Sequence, residues 1–359
     1  MRFAGVPWRT HLPHSPNHST RHIGPFRQSK AFFPGKHSAG TGKESQAGVS
    51  FEIEPIMQHA SEALLLVQRI FDSGITGCQQ TLSIACDRLA VQTGKGGNVS
   101  LKLRQLLVGT STGRWLSSVR DKLELVTAPR EQVGTIANDQ LSLRLLVGLC
   151  RPNDIFVDVG AHIGSVIAEV QNHCSSVKII AFEAIPSKAG KLIDKFPDVV
   201  IHCCALSDDE GEAEFFVDLE QSGYSSLAQT PHKSTKIIVD MKRLDDLLEG
   251  AHFIKIDVEG AELGVLKGAE NLISASRPII MFESGPANIL GYSKEGMFEF
   301  FARHEYGVFA PNRLAHTGPP MTLSSFLDAH EYPRRTTNYF AVPSEKIQEV
   351  RDRARAVRF

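Results

Sequence analysis

The clearest chemical signal in this chain is an acid and two glycines at the end of an apolar run, Phe156-Val-Asp-Val-Gly-Ala-His-Ile-Gly164. This pattern is typical of a buried strand that leads into a tight turn and then a helix, where α/β proteins hold a nucleotide-like cofactor. Gly160 can adopt turn conformations that a side chain would hinder. Gly164 lets the following helix pack closely against the strand. The segment therefore predicts a cofactor-binding turn.

The residue in the middle of this turn bears on which cofactor it holds. A dinucleotide fingerprint has glycine there, so that the backbone can approach a pyrophosphate, whereas this chain has His162. A β-carbon is tolerable if the ligand is S-adenosylmethionine, which carries no pyrophosphate. The Asp158 carboxylate could face the amino group of that donor. We therefore favour S-adenosylmethionine, with an NAD-dependent Rossmann oxidoreductase as the alternative.

A second acid indicates a ribose. Residues 177–182 predict the next strand, which ends on Glu183, nineteen residues after Gly164. A carboxylate at this position can accept hydrogen bonds from both ribose hydroxyls. NAD and S-adenosylmethionine share this sugar, so Glu183 does not distinguish them.

Three further segments are predicted to end at the same edge of the sheet, where ligands of open parallel sheets gather. Residues 205–207 follow the third predicted strand and could flank an adenine ring. Asp257 and Glu259 follow the fourth strand, and Glu283 ends the fifth. These three acids are candidates to take a proton from an acceptor hydroxyl or to ligate a cation that acidifies it. Asp257 is the first choice, and a helix cap is its alternative role.

Other residues near these acids have weaker assignments. Lys255 alternates with isoleucines in a buried strand and is expected to pair with a neighbouring carboxylate. Glu262 is expected to be a surface acid that complements a helix dipole. Tyr224 and Ser225 lie in a long irregular segment of the kind that often closes on substrate. They are predicted substrate contacts, although ordinary turn chemistry explains them nearly as well.

The elements that must position these residues alternate along the chain. Strands followed by helices predict an α/β fold: a doubly wound, mainly parallel, seven-stranded Rossmann-like sheet with helices on both faces. The last strands have only a short connection, so at least one edge strand could be antiparallel. A single helix is predicted over 262–273. Asn138 is predicted to cap a helix that runs to about Leu149, and Cys203 and Cys204 are expected to be core residues of the third strand.

The ends of the chain differ from this central region. Residues 1–50 have no acid before Glu44 and are predicted to be disordered. An upstream extension before Met57 or a targeting segment are the alternatives. Residues 51–134 have helical spacing and predict a helical extension, and residues 344–359 predict a basic tail with a short exposed helix.

Composition limits the classes of function. The chain has 359 residues, 42% hydrophobic content and a formal net charge of −1, which gives no sign of a nucleic-acid partner. No apolar run approaches the roughly 18 residues that a membrane helix needs. The six cysteines show no C-x-x-C spacing and no paired histidine. This pattern predicts a reducing, cytoplasmic location and no cysteine-based metal site.

Several segments together carry a family resemblance. They read D-V-G-A-H-I-G at 158–164, F-E-A at 182–184, A-L-S-D at 205–208, I-K-I-D-V-E-G-A-E at 254–262 and N-Y-F-A-V-P at 338–343. This set resembles the FkbM-type methyltransferases over roughly residues 135–343. His162 departs from the asparagine that the family usually has.

The resemblance implies a class I methyltransferase domain that transfers a methyl group from S-adenosylmethionine to a hydroxyl of a small molecule or glycan. It implies that the first turn holds the methionine end of the donor, with its ribose on Glu183 and Asp257 at the reaction side. The predicted donor-binding residues are Asp158, Gly160, Ala161, His162, Gly164, Glu183, Ala205, Leu206 and Ser207. A divalent cation is possible, and a nucleic-acid acceptor is disfavoured because no aromatic–basic interleaving stands out. A catalytically silent module that binds the donor is a further alternative.

Overall fold

Ten strands and ten α-helices make up the described part of the chain. The computed structural model describes residues 105, 107–218, 234–285, 291–316 and 318–357. The strands are β1 (Ile155–Val159), β2 (Lys178–Phe182), β3 (Val200–His202), β4 (Ala205–Leu206), β5 (Gly211–Asp218), β6 (Ser234–Lys242), β7 (Phe253–Ile256), β8 (Ile279–Glu283), β9 (Tyr306–Phe309) and β10 (Asn338–Pro343). The helices are α1 (Ser111–Thr127), α2 (Val133–Leu149), α3 (Ser165–His173), α4 (Pro186–Lys195), α5 (Glu262–Lys267), α6 (Glu270–Ser276), α7 (Lys294–Arg303), α8 (Pro311–Leu314), α9 (Leu323–Asp328) and α10 (Ile347–Ala356).

Seven of these strands form one sheet in the order β3-β2-β1-β7-β8-β10-β9. The first five of them pair in parallel, and β10 is antiparallel to both β8 and β9. The predicted fold, a mainly parallel seven-stranded sheet, is thereby confirmed. The antiparallel strand is not at an edge, however. The chain forms the edge strand β9 first and then returns between β9 and β8, which reverses the direction of β10.

The central strands are buried on both faces, which is why their sequences are nearly continuous apolar runs. Alternate side chains of β1 belong to two separate apolar clusters, one on each face of the sheet. Charges occur in this interior at Asp158 of β1 and Lys255 of β7, which are register partners. A buried charge is costly unless it is paired, so the two residues must have opposite signs.

A second sheet, β4-β6-β5, was not predicted. No strand was predicted over the residues of β6, 234–242. The side chains of Lys236 and Ile238 in β6 are exposed and that of Val239 is buried. One exposed face that carries both a charge and an isoleucine gives only a weak alternating pattern, and this explains why the strand was missed.

The helix predicted over 262–273 is two helices, because Gly268 ends α5. A β-carbon at Gly268 would lie 1.9 Å from the backbone oxygen of Ser207. This close approach brings the strand-end segment that contains Ser207 against the α5–α6 junction. A contact between segments so far apart in sequence cannot be seen from helical periodicity.

Two further expectations are wrong in detail. Helix α2 begins at Val133, so Asn138 is not its cap; its side chain instead bonds to the Arg335 oxygen and the Asn312 nitrogen. Strand β3 ends before the two cysteines, and only Cys204 is buried whereas Cys203 is exposed.

The C-terminal helix is not simply exposed. Val350 and Ala354 of α10 are fully buried in the same apolar cluster as Leu145 and Leu149 of α2. The Arg353 guanidinium also donates to the Leu149 oxygen. This helix therefore has a buried apolar face in addition to its basic residues, and the short sequence did not indicate that face.

Several predictions fall outside the described residues. These are the disorder of residues 1–50, most of the helical extension over 51–134, and the substrate contacts Tyr224 and Ser225. Within the described part of the extension, α1 is helical and buries no residue. No helix in the described ranges combines the length and the apolar character that crossing a bilayer requires.

Candidate active site

A cavity of about 170 Å³ lies at the carboxyl ends of β1, β2, β4 and β7. Seven of the predicted site residues line it: Gly160, His162, Glu183, Ala205, Leu206, Asp257 and Glu259. Much of the remaining wall is apolar and includes Phe182, Ile185 and Phe215. The cavity therefore combines an apolar wall with carboxylates, as a site for a partly apolar cation would require.

The turn after β1 depends on Gly160. Its φ is +83°, and a β-carbon there would lie 1.9 Å from the Asp257 backbone oxygen. Gly160 thus allows the ends of β1 and β7 to meet closely beside the cavity. Gly164 has a different role, because a β-carbon on it would meet Phe196 and Leu192 behind the turn. It permits helix packing and does not line the cavity.

We expect Gly160→Ala to lower the free energy of unfolding by about 3 kcal/mol or more, because a strained φ and a backbone clash both add to the cost. The melting temperature should fall by roughly 6–12 °C for a domain of this size. Thermal unfolding measured by circular dichroism checks this. Gly134→Ala is the control, since a β-carbon on that helical glycine would have nothing within 4 Å. Equal melting temperatures for the two variants would contradict the close approach.

Glu183 is held in a fixed orientation at the cavity wall. One carboxylate oxygen accepts the backbone N–H of His162 at 2.8 Å, and the other accepts that of Ile185 at 2.9 Å. Each oxygen has a second lone pair that can accept another hydrogen bond. Burial raises the pKa of Glu183, whereas the nearby Lys188 charge and these two bonds oppose that rise. The carboxylate is thus oriented in advance and retains acceptor capacity toward the cavity.

The backbone N–H groups of the turn are already used within the protein. Those of Gly160 and Ala161 donate to the Phe182 oxygen, both at 3.0 Å, and that of Gly164 donates to the Ala161 oxygen at 2.8 Å. That of His162 donates to Glu183. Dinucleotide sites present such groups to a pyrophosphate. These four groups are not available for one, which disfavours NAD at this turn.

Asp158 does not line the cavity. Its side chain is fully buried, and Lys255 Nζ lies 3.3 Å from its carboxylate. The same Nζ is 3.3 Å from the Asp257 carboxylate and donates to the Gly160 oxygen at 3.0 Å. The expected pairing of Lys255 with a carboxylate is confirmed. Burial lowers the pKa of Lys255, but the two carboxylates together raise it, so it remains charged.

The three candidate catalytic acids come together. Carboxylate oxygens of Asp257, Glu259 and Glu283 all lie within 4.8 Å of one another. Burial and the Asp257 charge raise the pKa of Glu283, which shares a hydrogen bond with Asp257. Although burial opposes it, Lys255 and that hydrogen bond lower the pKa of Asp257. These opposite shifts favour the protonated form of Glu283 and the ionised form of Asp257.

Glu259 has a different environment. Burial, followed by the Asp257 and Glu262 charges, raises the pKa of Glu259 to about 7. Its φ is +53°, an uncommon value for a residue with a side chain. The carboxylate of Glu262 fixes this turn by accepting the N–H groups of Val258 at 3.2 Å and Gly260 at 3.0 Å. Glu262 is fully buried, so its expected role as a surface acid is wrong.

Five predicted site residues that the structure describes do not line the cavity: Asp158, Ala161, Gly164, Ser207 and Glu283. The sequence did not identify Lys188 or Phe215, which do line it. Lys188 belongs to α4 and comes soon after Glu183 in the sequence. Its nearness to that acid in the chain could have indicated that it lies at the site. Phe215 belongs to the unpredicted second sheet, and no local signal connects it with the site.

Comparison with known proteins finds similarity in the part of the chain that contains the residues lining the cavity. Residues 158–308 match the family described as methyltransferase FkbM domain. The hexuronic acid methyltransferase AglP of Haloferax volcanii is 30% identical over 163 residues, which are 42% of this chain and 64% of that protein. The methyltransferase sdnD of Sordaria araneosa is 29% identical over 158 residues, 33% of this chain and 61% of that protein. The chain thus spans somewhat less than two thirds of these relatives.

A solved structure of methyltransferase FkbM from Methylobacillus flagellatus is 17% identical, with a TM-score of 0.38. The similar region covers 63% of this chain and 59% of the Methylobacillus flagellatus chain. The match of residues 158–308 to this family confirms the resemblance identified from the motifs.

Proposed function

We propose that this methyltransferase FkbM domain transfers a methyl group from S-adenosylmethionine to a hydroxyl of a small molecule or glycan. The observation that carries the proposal is Glu183, whose carboxylate is fixed by the turn and faces the cavity. A carboxylate so placed fits a ribose, and the turn offers no pyrophosphate site at the four N–H groups described. Ala205 and Leu206 then supply an apolar contact for the adenine.

The donor supplies a methyl carbon activated by a sulfonium. The chain's own contribution is to align the acceptor hydroxyl with that carbon and to remove its proton. Alignment alone can contribute on the order of 7–11 kcal/mol when it is ideal. The carboxylates of Glu183, Asp257 and Glu259 around the cavity favour a cationic ligand by charge.

We assign the proton acceptor to Asp257, because its lowered pKa favours the ionised form and because it lines the cavity. Glu283 donates a hydrogen bond to it, and Lys255 offsets its charge. Lys255 and the hydrogen bond from Glu283 already offset the charge on Asp257, so the proposed proton transfer does not depend on a divalent cation. Transfer should therefore persist when a chelator is added.

The acceptor class rests on the family and its relatives. One relative is named for a hexuronic acid, so glycans that contain uronic acids belong in the first panel of acceptors. A cytoplasmic location is consistent with the free thiols of the four described cysteines, Cys150, Cys174, Cys203 and Cys204.

Two measurements on the full chain test the proposal. S-adenosylhomocysteine at about 100 times its Kd should stabilise the protein by about 2.7 kcal/mol, and NADH should not. Isotope-labelled S-adenosylmethionine should then label an acceptor in a cell extract or in the glycan panel. Stabilisation by NADH alone would favour the oxidoreductase alternative. Binding of the donor product without any labelled acceptor would favour the silent module.

A further inference from the structure

Lys255 contacts two residues that line the cavity, Gly160 and Asp257. Its Nζ donates to the Gly160 oxygen in the donor-side turn and lies 3.3 Å from Asp257 on the acceptor side. The third contact is with the fully buried Asp158, 3.3 Å away. We infer that Lys255 is a positioning residue that couples the donor-binding turn to the acid that takes the proton. The inference rests on the function proposed above.

The strand register explains why one lysine reaches all three groups. Asp158 and Lys255 are direct partners across β1 and β7, so their side chains share one face of the sheet. Asp257 is two residues beyond Lys255 and is therefore on the same side as the chain leaves the strand. The Asp257 N–H also donates to the Val159 oxygen, which keeps the two strand ends together.

A simpler role for Lys255 would be to neutralise the buried Asp158. That role requires only the contact with Asp158. The side chain, however, is 7% exposed and directs its other hydrogen bonds to Gly160 and Asp257. If these contacts position the site, removing Lys255 must change the behaviour of Asp257 even when Asp158 carries no charge.

This distinction determines the variants. Asp158→Asn removes the buried acid and keeps Lys255 with Asp257. Asp158→Asn/Lys255→Met removes the charges of both residues, so that Asp158 is not left as a buried acid without its partner. Lys178→Met is a control for removing a strand lysine, since Lys178 is exposed at the start of β2. Circular dichroism and thermal unfolding establish that each variant is folded.

The readout is the pH dependence of kcat/KM for labelled methyl transfer. Other titratable groups that face Lys255 or Asp257 remain in both Asp158 variants; these are His162, Glu183, Glu259 and Glu283. Lys255 stabilises the ionised form of Asp257, so its loss makes Asp257 easier to protonate. The acid limb should therefore move to higher pH by about 1–3 units in the double variant relative to Asp158→Asn. Lys178→Met should retain the wild-type profile.

The possible outcomes separate this inference from the proposed function. If wild-type protein neither binds S-adenosylhomocysteine nor transfers label, the proposed function fails. If wild-type protein does both, but the acid limbs of Asp158→Asn and the double variant coincide, Lys255 only balances charge and the inference is wrong. A shift in the double variant alone supports the coupling.

Discussion

Asp257→Asn is expected to reduce the rate of methyl transfer by about 10²- to 10⁴-fold, the usual contribution of a general base. The amide keeps the size of the side chain but cannot take the proton of an acceptor hydroxyl. S-adenosylhomocysteine carries no sulfonium charge, so its affinity should change far less than the rate. Transfer of labelled methyl and calorimetric titration of S-adenosylhomocysteine measure the two quantities separately.

Asp246→Asn is the matched control, because that carboxylate is about half exposed and is outside the cavity. Its rate should equal that of the wild type. Glu259 provides the competing assignment, since its pKa of about 7 also suits a base. If Asp257→Asn remains active while Glu259→Gln loses the rate, then Glu259 and not Asp257 is the proton acceptor.

Glu183→Gln should weaken the binding of S-adenosylhomocysteine strongly. In the wild type, the backbone N–H groups of His162 and Ile185 each donate a hydrogen bond to one of the two carboxylate oxygens of Glu183. A glutamine has only one oxygen, so one N–H would face an amide NH₂ group, and a ribose hydroxyl would lose a charged acceptor. A hydrogen bond to a charged group is worth about 1.5–3 kcal/mol, which corresponds to a roughly 10- to 150-fold increase in Kd.

Glu331→Gln serves as the control for this substitution, because Glu331 is exposed and does not line the cavity. Its Kd should match that of the wild type. Both variants should be compared by titration after their folding is checked. An unchanged Kd for Glu183→Gln would mean that the ribose of the donor is not held at this acid.

The α/β architecture could be predicted because its signals are local. The central strands are short apolar runs, and strands alternating with helices allow few arrangements of a sheet. The residues at the strand ends were predicted to meet because parallel strands end at one edge. Gly160, Glu183, Asp257 and Glu259 do line one cavity. Their assigned roles stay predictions until the variants are measured.

The sequence failed where a pattern was weak or where contacts joined distant segments. Strand β6 has too little alternation to be recognised, so Phe215 of the paired strand β5 was not expected at the cavity. Glu262 looks like an acid in the first turn of a surface helix. Only the fold shows that its carboxylate is buried against the turn that carries Glu259.

The sequence by itself determined the strand–turn–helix unit, the acid at the end of β2 and the order of the alternating elements, because each depends on residues that are neighbours in the chain. Tertiary structure decided which acids come together in the acidic cluster and the three contacts that Lys255 makes. Lys255 and Gly160 are 95 residues apart in the chain, and their bond exists because β1 and β7 pair in one particular register. Each buried charged side chain then needs a partner of opposite charge, because no solvent is present to stabilise it.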